Sequence, residues 1–281
     1  MAILSIQSAV AYGHVGNSTA VFPLQRLGFE VWPVDTVQFS NHTGYGVWRG
    51  RAWDAASIGE VIRGIGERGA FPQCEAVLSG YLGDVALGEV VLDAVAAVKA
   101  ANPRALYCCD PVIGDDHSGI FVGPEIPAFF RDRAVAAADI LTPNRFELAL
   151  LSGREIAGVA DALAASAALR ARGPRLILVT SLPGENAGEI AMLAAGSDGA
   201  WLVATPRLPH VFNGAGDLTA AVFLAQFLRR GDTADALAAT AASVYAVLAE
   251  TLHRAEPELA IIVAQAALAD PPRQFLVRPV G

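Results

Sequence analysis

Short apolar runs alternate with longer amphipathic stretches along the first two thirds of the chain. The runs end at turn residues, as the buried strands of a parallel sheet do. We predict strands over residues 3–7, 31–34, 76–78, 105–109, 139–141 and 176–179. Apolar positions between them recur at helical spacing, which predicts helices over residues 17–27, 57–66, 88–101, 145–151 and 161–171. This alternation predicts βαβ units and a central, mostly parallel sheet with helices on both faces, a three-layer α/β/α fold.

Three further segments complete the predicted architecture. Residues 189–195 and 200–205 are strand-like and flank Gly-Ser-Asp-Gly, which predicts an antiparallel hairpin at the sheet edge. Residues 36–53 are rich in glycine, aromatic and polar residues, and we expect them to form a strand-and-loop flap that can cover a ligand. The last third is predicted to be helical over residues 217–230, 233–253 and 258–269.

The composition is that of a globular enzyme. With 281 residues, 53% of them hydrophobic and 17% charged, we expect one large domain, residues 1–281, around a buried sheet. A net charge of −8 argues against a nucleic-acid surface. The N-terminus lacks a signal-peptide pattern and no run reaches about 18 apolar residues, so we expect a cytoplasmic protein without a membrane span. The three cysteines, two of them adjacent, are expected to be buried thiols.

Lysine is almost absent, and this excludes several chemistries. Lys99 is the only lysine among 20 basic residues, and it lies near the end of a predicted helix. A Walker A loop and a protein-kinase strand both need a lysine in a context that Lys99 lacks. An enzyme that holds pyridoxal phosphate as cofactor normally needs a lysine Schiff base, and Lys99 lacks pocket-like surroundings, so this class of enzyme is not expected.

The most informative motif is Asn-Gly-Ala-Gly-Asp-Leu-Thr, residues 213–219, directly before a long apolar helix. Glycine residues let backbone N–H groups face an anion, and a helix N-terminus adds positive potential. Asp217, in the first helical turn, can accept the proton of an attacking alcohol during phosphoryl transfer. The alternative is that Asp217 only stabilises the helix N-terminus.

Polar side chains follow two other predicted strands. Asp110 precedes a proline at the end of one strand and suits a magnesium or phosphate site. Asn144 and Glu147 follow another strand and share a helical face, where oxygen ligands can hold Mg²⁺ through waters. The same spacing is also that of a capping box with a purely structural role.

A third group of residues can hold a planar ring. Ser8 ends the first strand, Thr43 lies in the predicted flap, and Tyr81 follows the strand over residues 76–78. A heteroaromatic ring can stack on Tyr81 while the two hydroxyls bind its polar edge. Each residue also has a plain structural interpretation as turn or core, and His14 and His42 are equally explained as turn caps.

Taken in order, these motifs resemble the ribokinase-like superfamily, and within it the pyridoxal kinases. The resemblance lies in the strings SIQSAVAYGHVGNSTAVFPLQRLG, VWPVDTVQFSNHTGYG, AVLSGYLG, VKAANPRALYCCDPVIG, DILTPNRFELALLSG and GAGDLTA. It implies ATP-dependent phosphorylation of the 5′-hydroxymethyl group of pyridoxal, with Mg²⁺, often a stimulating monovalent cation such as K⁺, and a homodimer.

The resemblance also implies roles for individual residues. Asp217 becomes the catalytic carboxylate, with Gly214, Ala215 and Gly216 as the anion hole. The implied pyridoxal pocket consists of Ser8, Val15, Thr43, Gly44, Tyr81 and Asp217. The implied nucleotide site consists of Asp110, Thr142, Glu147, Thr180, Thr205, Pro206, Arg207 and Leu208. The implied magnesium site consists of Asp110, Asn144 and Glu147.

Three departures from the family pattern leave alternatives open. Thr180 stands where related kinases usually have a lysine, residues 205–212 are shorter than their counterpart, and Ala215 replaces a valine or threonine between the glycines. The alternatives are a kinase of hydroxymethylpyrimidine, alone or alongside pyridoxine, and a catalytically weak B6-binding protein.

The substitution Thr180→Lys tests the first departure. A lysine attracts phosphate as a point charge, so we expect the KM for ATP to fall while the KM for pyridoxal stays the same. Steady-state kinetics with each substrate varied in turn measure both constants. An unchanged or higher KM for ATP would mean that another residue supplies this contact or that the side chain points elsewhere.

Overall fold

A ten-stranded sheet runs through the protein, and the computed structural model describes all residues from Met1 to Gly281. Its strands are β1 (Ala2–Val10), β2 (Glu30–Phe39), β3 (Gly50–Ala52), β4 (Cys74–Ser79), β5 (Leu106–Cys109), β8 (Ile140–Leu141), β9 (Leu176–Pro183), β10 (Glu189–Gly196), β11 (Gly199–Pro206) and β12 (Val277–Pro279). Two further strands, β6 (Gly114–Asp115) and β7 (Gly119–Ile120), form a separate small hairpin.

Helices connect most of the strands. They are α1 (Asn17–Arg26), α2 (Ala55–Glu67), α3 (Val85–Ala101), α4 (Ile126–Phe129), α5 (Val135–Ala137), α6 (Arg145–Ser152), α7 (Val159–Arg170), α8 (Ala215–Arg230), α9 (Thr233–Arg254) and α10 (Gln265–Ala269). A π-helical turn, Phe130–Ala134, joins α4 to α5, and short 3₁₀ turns cover Thr43–Tyr45 and Phe71–Gln73. Aspartate side chains that accept a backbone N–H begin α2, α3 and α9, at Asp54, Asp84 and Asp232.

The strand order is β12-β11-β10-β9-β8-β5-β4-β1-β2-β3. The six strands from β9 to β2 are parallel, and the pairs at both ends are antiparallel. The carboxyl ends of all six parallel strands therefore meet at one edge of the sheet, which is where open α/β sheets bind their ligands.

Two hydrophobic cores lie on opposite faces of this sheet. Ile3 belongs to a cluster of 31 buried residues with α1, α8, α9 and α10, and the adjacent Leu4 belongs to a cluster of 37 with helices α2 to α7. This division follows from the alternation of side chains along a strand. The predicted three-layer α/β/α fold with a mostly parallel sheet is confirmed.

The structure corrects two of the predicted elements. The hairpin of β10 and β11 is present, but β12 pairs with β11 and forms the edge instead. The helix predicted over residues 258–269 is wrong for most of its length, because only Gln265–Ala269 is helical and the preceding residues form turns. The flap has the predicted place, with β3 pairing antiparallel to the end of β2.

One helix, α9, is long and apolar enough to cross a membrane by length and composition alone. Half of its most apolar stretch is buried inside the protein, against α8 and the sheet. The apolar surface of α9 is therefore accounted for by the core.

Candidate active site

The carboxyl ends of the parallel strands open into a cavity of about 430 Å³. Every one of the six parallel strands contributes a lining residue, either from its own end or from the segment that follows it. In sheet order these are Val37, Ser8, Tyr81, Asp110, Thr142 and Thr180. The cavity therefore brings together residues that are far apart in sequence.

The glycine-rich loop closes one side of this cavity and leads into α8. Gly214 has φ +78°, and a Cβ at this position would overlap the backbone carbonyl of His14. Only glycine combines this backbone conformation with such a close approach. Gly216 and Asp217 line the cavity from the first turn of α8, so backbone amides at the helix N-terminus face the space where a ligand binds.

Asp217 is partly buried at the helix start. Burial raises the pKa of this carboxyl group to about 6, and hydrogen bonding from the Gly16 backbone N–H offsets part of that rise. A carboxylate with a pKa of about 6 is ionised at neutral pH and takes up a proton more readily than an ordinary aspartate.

Asp110 is a second buried carboxyl group in the cavity. One of its oxygens accepts a hydrogen bond from the Thr142 hydroxyl at 3.0 Å. Burial, followed by the nearby carboxylates of Glu147 and Asp217, raises its pKa well above the usual value. Positive charge brought into the cavity would therefore favour the ionised form of Asp110, which burial alone disfavours.

The structure forms the capping box that the Asn144 and Glu147 spacing allows. The Glu147 N–H donates to Asn144 Oδ1 and the Asn144 N–H donates to Glu147 Oε2, both at 2.9 Å. Glu147 also accepts a hydrogen bond from the Ile113 N–H at 2.9 Å, and Asn144 donates its amide to the Gly114 carbonyl at 2.8 Å. Both side chains thus fix the turn before β6, and any contact with a metal from here is through water.

No basic side chain balances these acids. None of the residues that line the cavity is lysine or arginine, and burial raises the pKa of Glu147 to about 7. No three acidic, histidine or cysteine side chains converge tightly enough to bind an ion unaided. The site therefore fits a hydrated divalent cation that arrives with an anionic ligand, which is the coordination that Mg²⁺ prefers.

The opposite side of the cavity is less charged. Ser8, Val15, Thr43, Gly44 and Tyr81 line it together with the ring of His42. Apolar surface from the end of β2 and neighbouring loops, Val10, Val37, Phe39 and Phe121, completes this part of the cavity. Apolar walls with a few hydroxyls suit a small aromatic ring that carries polar substituents.

Some predicted site residues lie outside the cavity. The cavity lining does not include Thr205 and Pro206, which end β11, or Arg207 and Leu208, which follow it. The Arg207 N–H donates to the Gly188 carbonyl of the neighbouring turn. Ala215 begins α8 without reaching the cavity wall. The carboxyl, hydroxyl and glycine positions therefore cluster, whereas the segment over residues 205–208 stands apart.

The sequence analysis missed the contribution of the β6–β7 hairpin. Asp115, Ser118 and Phe121 line the cavity from this hairpin or just after it, and Val211, Phe212 and Asn213 line it ahead of the glycine loop. The turn Gly-Asp-Asp-His-Ser-Gly, directly after the Asp110 segment, was the available signal for a hairpin.

The chain is similar to proteins of known family along its whole length. Residues 70–258 match the family model of phosphomethylpyrimidine kinase. The pyridoxal kinase PdxY of Rubrobacter xylanophilus is 59% identical over 99% of this chain and 97% of its own, and that of Leifsonia xyli is 54% identical over both full lengths. Pyridoxal kinase from Leishmania donovani in complex with ADP and pyridoxamine has a TM-score of 0.94 at 28% identity, covering 100% and 99% of the two chains.

The raised pKa of Asp217 has a consequence for stability. Its folded pKa of about 6 lies above the usual value of 3.8, so the folded state keeps this proton longer than the unfolded state. Stability is lost as pH rises from about 4 to about 6, and the full cost is present above about pH 6. Asp217→Asn removes this cost. We expect the variant to have a higher Tm than the parent at pH 8, and the difference to shrink as pH is lowered towards 5.

Thermal unfolding at several pH values measures this difference. The control is Asp235→Asn, which removes the same charge from the first turn of α9 at an exposed position. A Tm difference for Asp217→Asn that is no more pH-dependent than that of the control would contradict the raised pKa.

Proposed function

Because the chain belongs to the phosphomethylpyrimidine kinase family, and within it to the pyridoxal kinases, we propose that its strand-end cavity holds pyridoxal beside the phosphates of ATP. The chain is an ATP-dependent phosphotransferase with an alcohol acceptor. It transfers the γ-phosphoryl group of ATP to the 5′-hydroxymethyl group of pyridoxal in vitamin B6 salvage. The observation that carries the assignment to this cavity is Asp217, a carboxylate with a raised pKa at a glycine-rich helix N-terminus.

In the proposed mechanism Asp217 aligns the 5′-hydroxyl group with the γ-phosphorus. The oxygen–phosphorus bond to the acceptor forms as the bond to the ADP leaving group breaks. The proton of the hydroxyl passes to the Asp217 carboxylate, and the carboxyl group later returns it to solvent. A pKa of about 6 supports this role, since the group is ionised before transfer and protonated without a large penalty afterwards.

The glycine loop is proposed to stabilise the transferred phosphoryl group. Gly214 and Gly216 provide backbone N–H groups at the start of α8, where the helix dipole adds positive potential. The Ala215 N–H already donates to the Phe212 carbonyl at 3.4 Å, so Ala215 contributes mainly by its small size. The glycine donors are fixed before the reaction, because the Gly214 conformation is held by its packing against His14. Preorganised donors of this kind stabilise the charge that develops on the phosphoryl oxygens.

Asp110, Asn144 and Glu147 are proposed to hold Mg²⁺ through water molecules beside the ATP phosphates. A bound Mg²⁺ supplies charge neutralisation for the polyphosphate. Support comes from the buried acids of the cavity and from the absence of lysine and arginine among its lining residues. Stimulation by K⁺ remains a prediction that rests on the resemblance to pyridoxal kinases.

The proposed pyridoxal site is the less charged side of the cavity. The ring lies against Tyr81 and Val15, with Ser8, Thr43 and Gly44 at its polar edge and its hydroxymethyl group towards Asp217. Thr142 and Thr180 are proposed to lie on the ATP side. Residues 205–208 can contact the nucleotide only if its base extends beyond the cavity. Their part in nucleotide binding remains a prediction.

We further propose that the protein is a cytoplasmic homodimer. The outer edge of β3 is unpaired, and Val47, Trp48 and Trp53 are exposed beside it. An unpaired edge with exposed aromatic side chains favours association. ATP as co-substrate and three free cysteines support the cytoplasm. Sedimentation equilibrium is expected to give twice the chain mass of 29.2 kDa, and a mass of one chain would contradict the dimer.

Hydroxymethylpyrimidine is a second candidate substrate, since the matching family model describes phosphomethylpyrimidine kinase. We expect ATP-dependent phosphorylation of pyridoxal with a higher kcat/KM than that of hydroxymethylpyrimidine, measured side by side with pyridoxine and pyridoxamine. A higher kcat/KM for hydroxymethylpyrimidine would reverse the assignment. The absence of turnover with any of these substrates would favour a B6-binding protein.

Asp217→Asn tests the mechanism. The amide keeps the size of the side chain but cannot take the proton, so kcat is expected to fall by roughly 10²-fold or more, the scale of general-base catalysis. Pyridoxal binding, measured by equilibrium titration, is expected to change little. A kcat near that of the parent would show that Asp217 only stabilises the start of α8.

A further inference from the structure

Glu258 lies outside the cavity and yet connects two of its walls. It follows α9 in the segment of turns before α10. Its Oε2 accepts a hydrogen bond from the His14 backbone N–H at 2.8 Å, and its Oε1 accepts one from the Tyr45 hydroxyl at 2.6 Å. Glu258 forms no ion pair in the protein. Its carboxylate is therefore held in place by these two hydrogen bonds.

The two partners of Glu258 belong to segments that face the substrate. His14 precedes Val15, which lines the cavity, and Gly16, whose N–H interacts with the Asp217 carboxylate. Tyr45 follows Thr43 and Gly44 of the flap, which line the cavity from the other side. One carboxylate therefore fixes both the loop beside Asp217 and the tip of the flap.

Apart from the bond between Tyr45 and Glu258, the flap tip is held by aromatic contacts, Tyr45 with Tyr12 at 6.5 Å and Trp48 with Phe39 at 4.2 Å between ring centroids. Residues 43–51 are exposed, and the other hydrogen bonds of residues 41–48 stay within the flap. The bond from Tyr45 to Glu258 is the one hydrogen bond that joins this tip to the rest of the protein. The same bond is the largest cause of the raised pKa of Tyr45, about 12, to which partial burial and the charge of Glu258 add.

The loop on the other side is shaped around the same carboxylate. Gly13 has φ +98°, and a Cβ at this position would overlap the carboxyl group of Glu258. The glycine thus lets the chain pass close enough for the next residue, His14, to donate its N–H.

We propose that Glu258 is a positioning residue that latches the flap tip to the loop over residues 13–16 and so presets the pyridoxal pocket. The expected effect on pyridoxal rests on the function proposed above. The latch acts on the walls of the pyridoxal side, so it affects binding of the vitamin more than binding of ATP. Holding a binding loop in its bound conformation improves affinity by lowering the ordering cost.

Two substitutions test the latch, Tyr45→Phe and Glu258→Gln. We expect each to raise the KM for pyridoxal by about three- to tenfold, the scale of one charge-assisted hydrogen bond at a partly exposed site. The KM for ATP should stay within about twofold, and kcat should change less than the KM for pyridoxal. The effects of the two changes should be less than additive in the double variant, because Tyr45→Phe removes and Glu258→Gln weakens the same contact.

The matched control is Glu256→Gln. Glu256 lies two residues away on the same segment, and its carboxylate pairs with Arg254 and contacts neither wall. Its kinetic constants are expected to equal those of the parent. An equal rise in the KM for pyridoxal in Glu256→Gln would overturn the latch, since the effect would then belong to the segment as a whole.

Hydrogen exchange of the flap gives a readout that does not depend on activity. Amides of residues 41–49 should exchange faster in Tyr45→Phe and in Glu258→Gln than in the parent, with the sheet unchanged. If Glu258→Gln does not fold, the exposed Tyr45→Phe change carries the test alone. Faster exchange in a protein that fails to phosphorylate pyridoxal would support the latch and reject the proposed function. Unchanged exchange together with an unchanged KM for pyridoxal would overturn the latch.

Discussion

The carboxyl groups of Asp110, Glu147 and Asp217, which line one cavity without lysine or arginine beside them, are the constraint on which the site depends. All three have raised pKa values because burial disfavours their charged forms, and for Asp110 repulsion from Glu147 and Asp217 adds to this effect. The protein tolerates Glu147 by surrounding it with backbone N–H donors from the turn over residues 113–114 and from Asn144. Asp110 has only the hydroxyl of Thr142, so much of its charge is left to be neutralised by what binds.

The loop over residues 13–16 connects these charges to the rest of the fold. It packs against Gly214 through the His14 carbonyl, reaches Asp217 through the Gly16 amide, and is held from outside by Glu258. A loop with three such contacts has little freedom, and its position determines both the orientation of the proposed base and one wall of the vitamin pocket. The alignment proposed for Asp217 therefore depends on the first strand–helix turn and, through Glu258, on the segment between α9 and α10.

Local patterns in the sequence were enough to predict the parallel sheet, because short apolar runs, capping residues and glycine turns act within a few residues. The same patterns predicted that Ser8, Tyr81, Asp110 and Thr142 lie at strand ends and that Asp217 lies in the first turn of a helix, and the structure gathers all five in one cavity. Contacts between segments far apart in sequence could not be predicted from such local patterns. The pairing of β12 with β11, the turns that replace most of the helix over residues 258–269, and the approach of Glu258 to Tyr45 all depend on segments far apart in sequence. The spacing of Asn144 and Glu147 is compatible both with a capping box and with a metal site. The hydrogen bonds of the folded protein show that the capping box is formed.

The only lysine of the chain does not line the cavity. Lys99 pairs with Asp139 at 2.7 Å, at the far end of α3, and Thr180 lines the cavity from β9. A polyphosphate in this cavity would meet buried acids and neither lysine nor arginine, so its own negative charge would oppose binding. Under the proposed function, a cation that arrives with the phosphates would remove this repulsion and would also favour the ionised forms of the acids. The cavity is therefore expected to favour a metal–nucleotide complex over the free nucleotide.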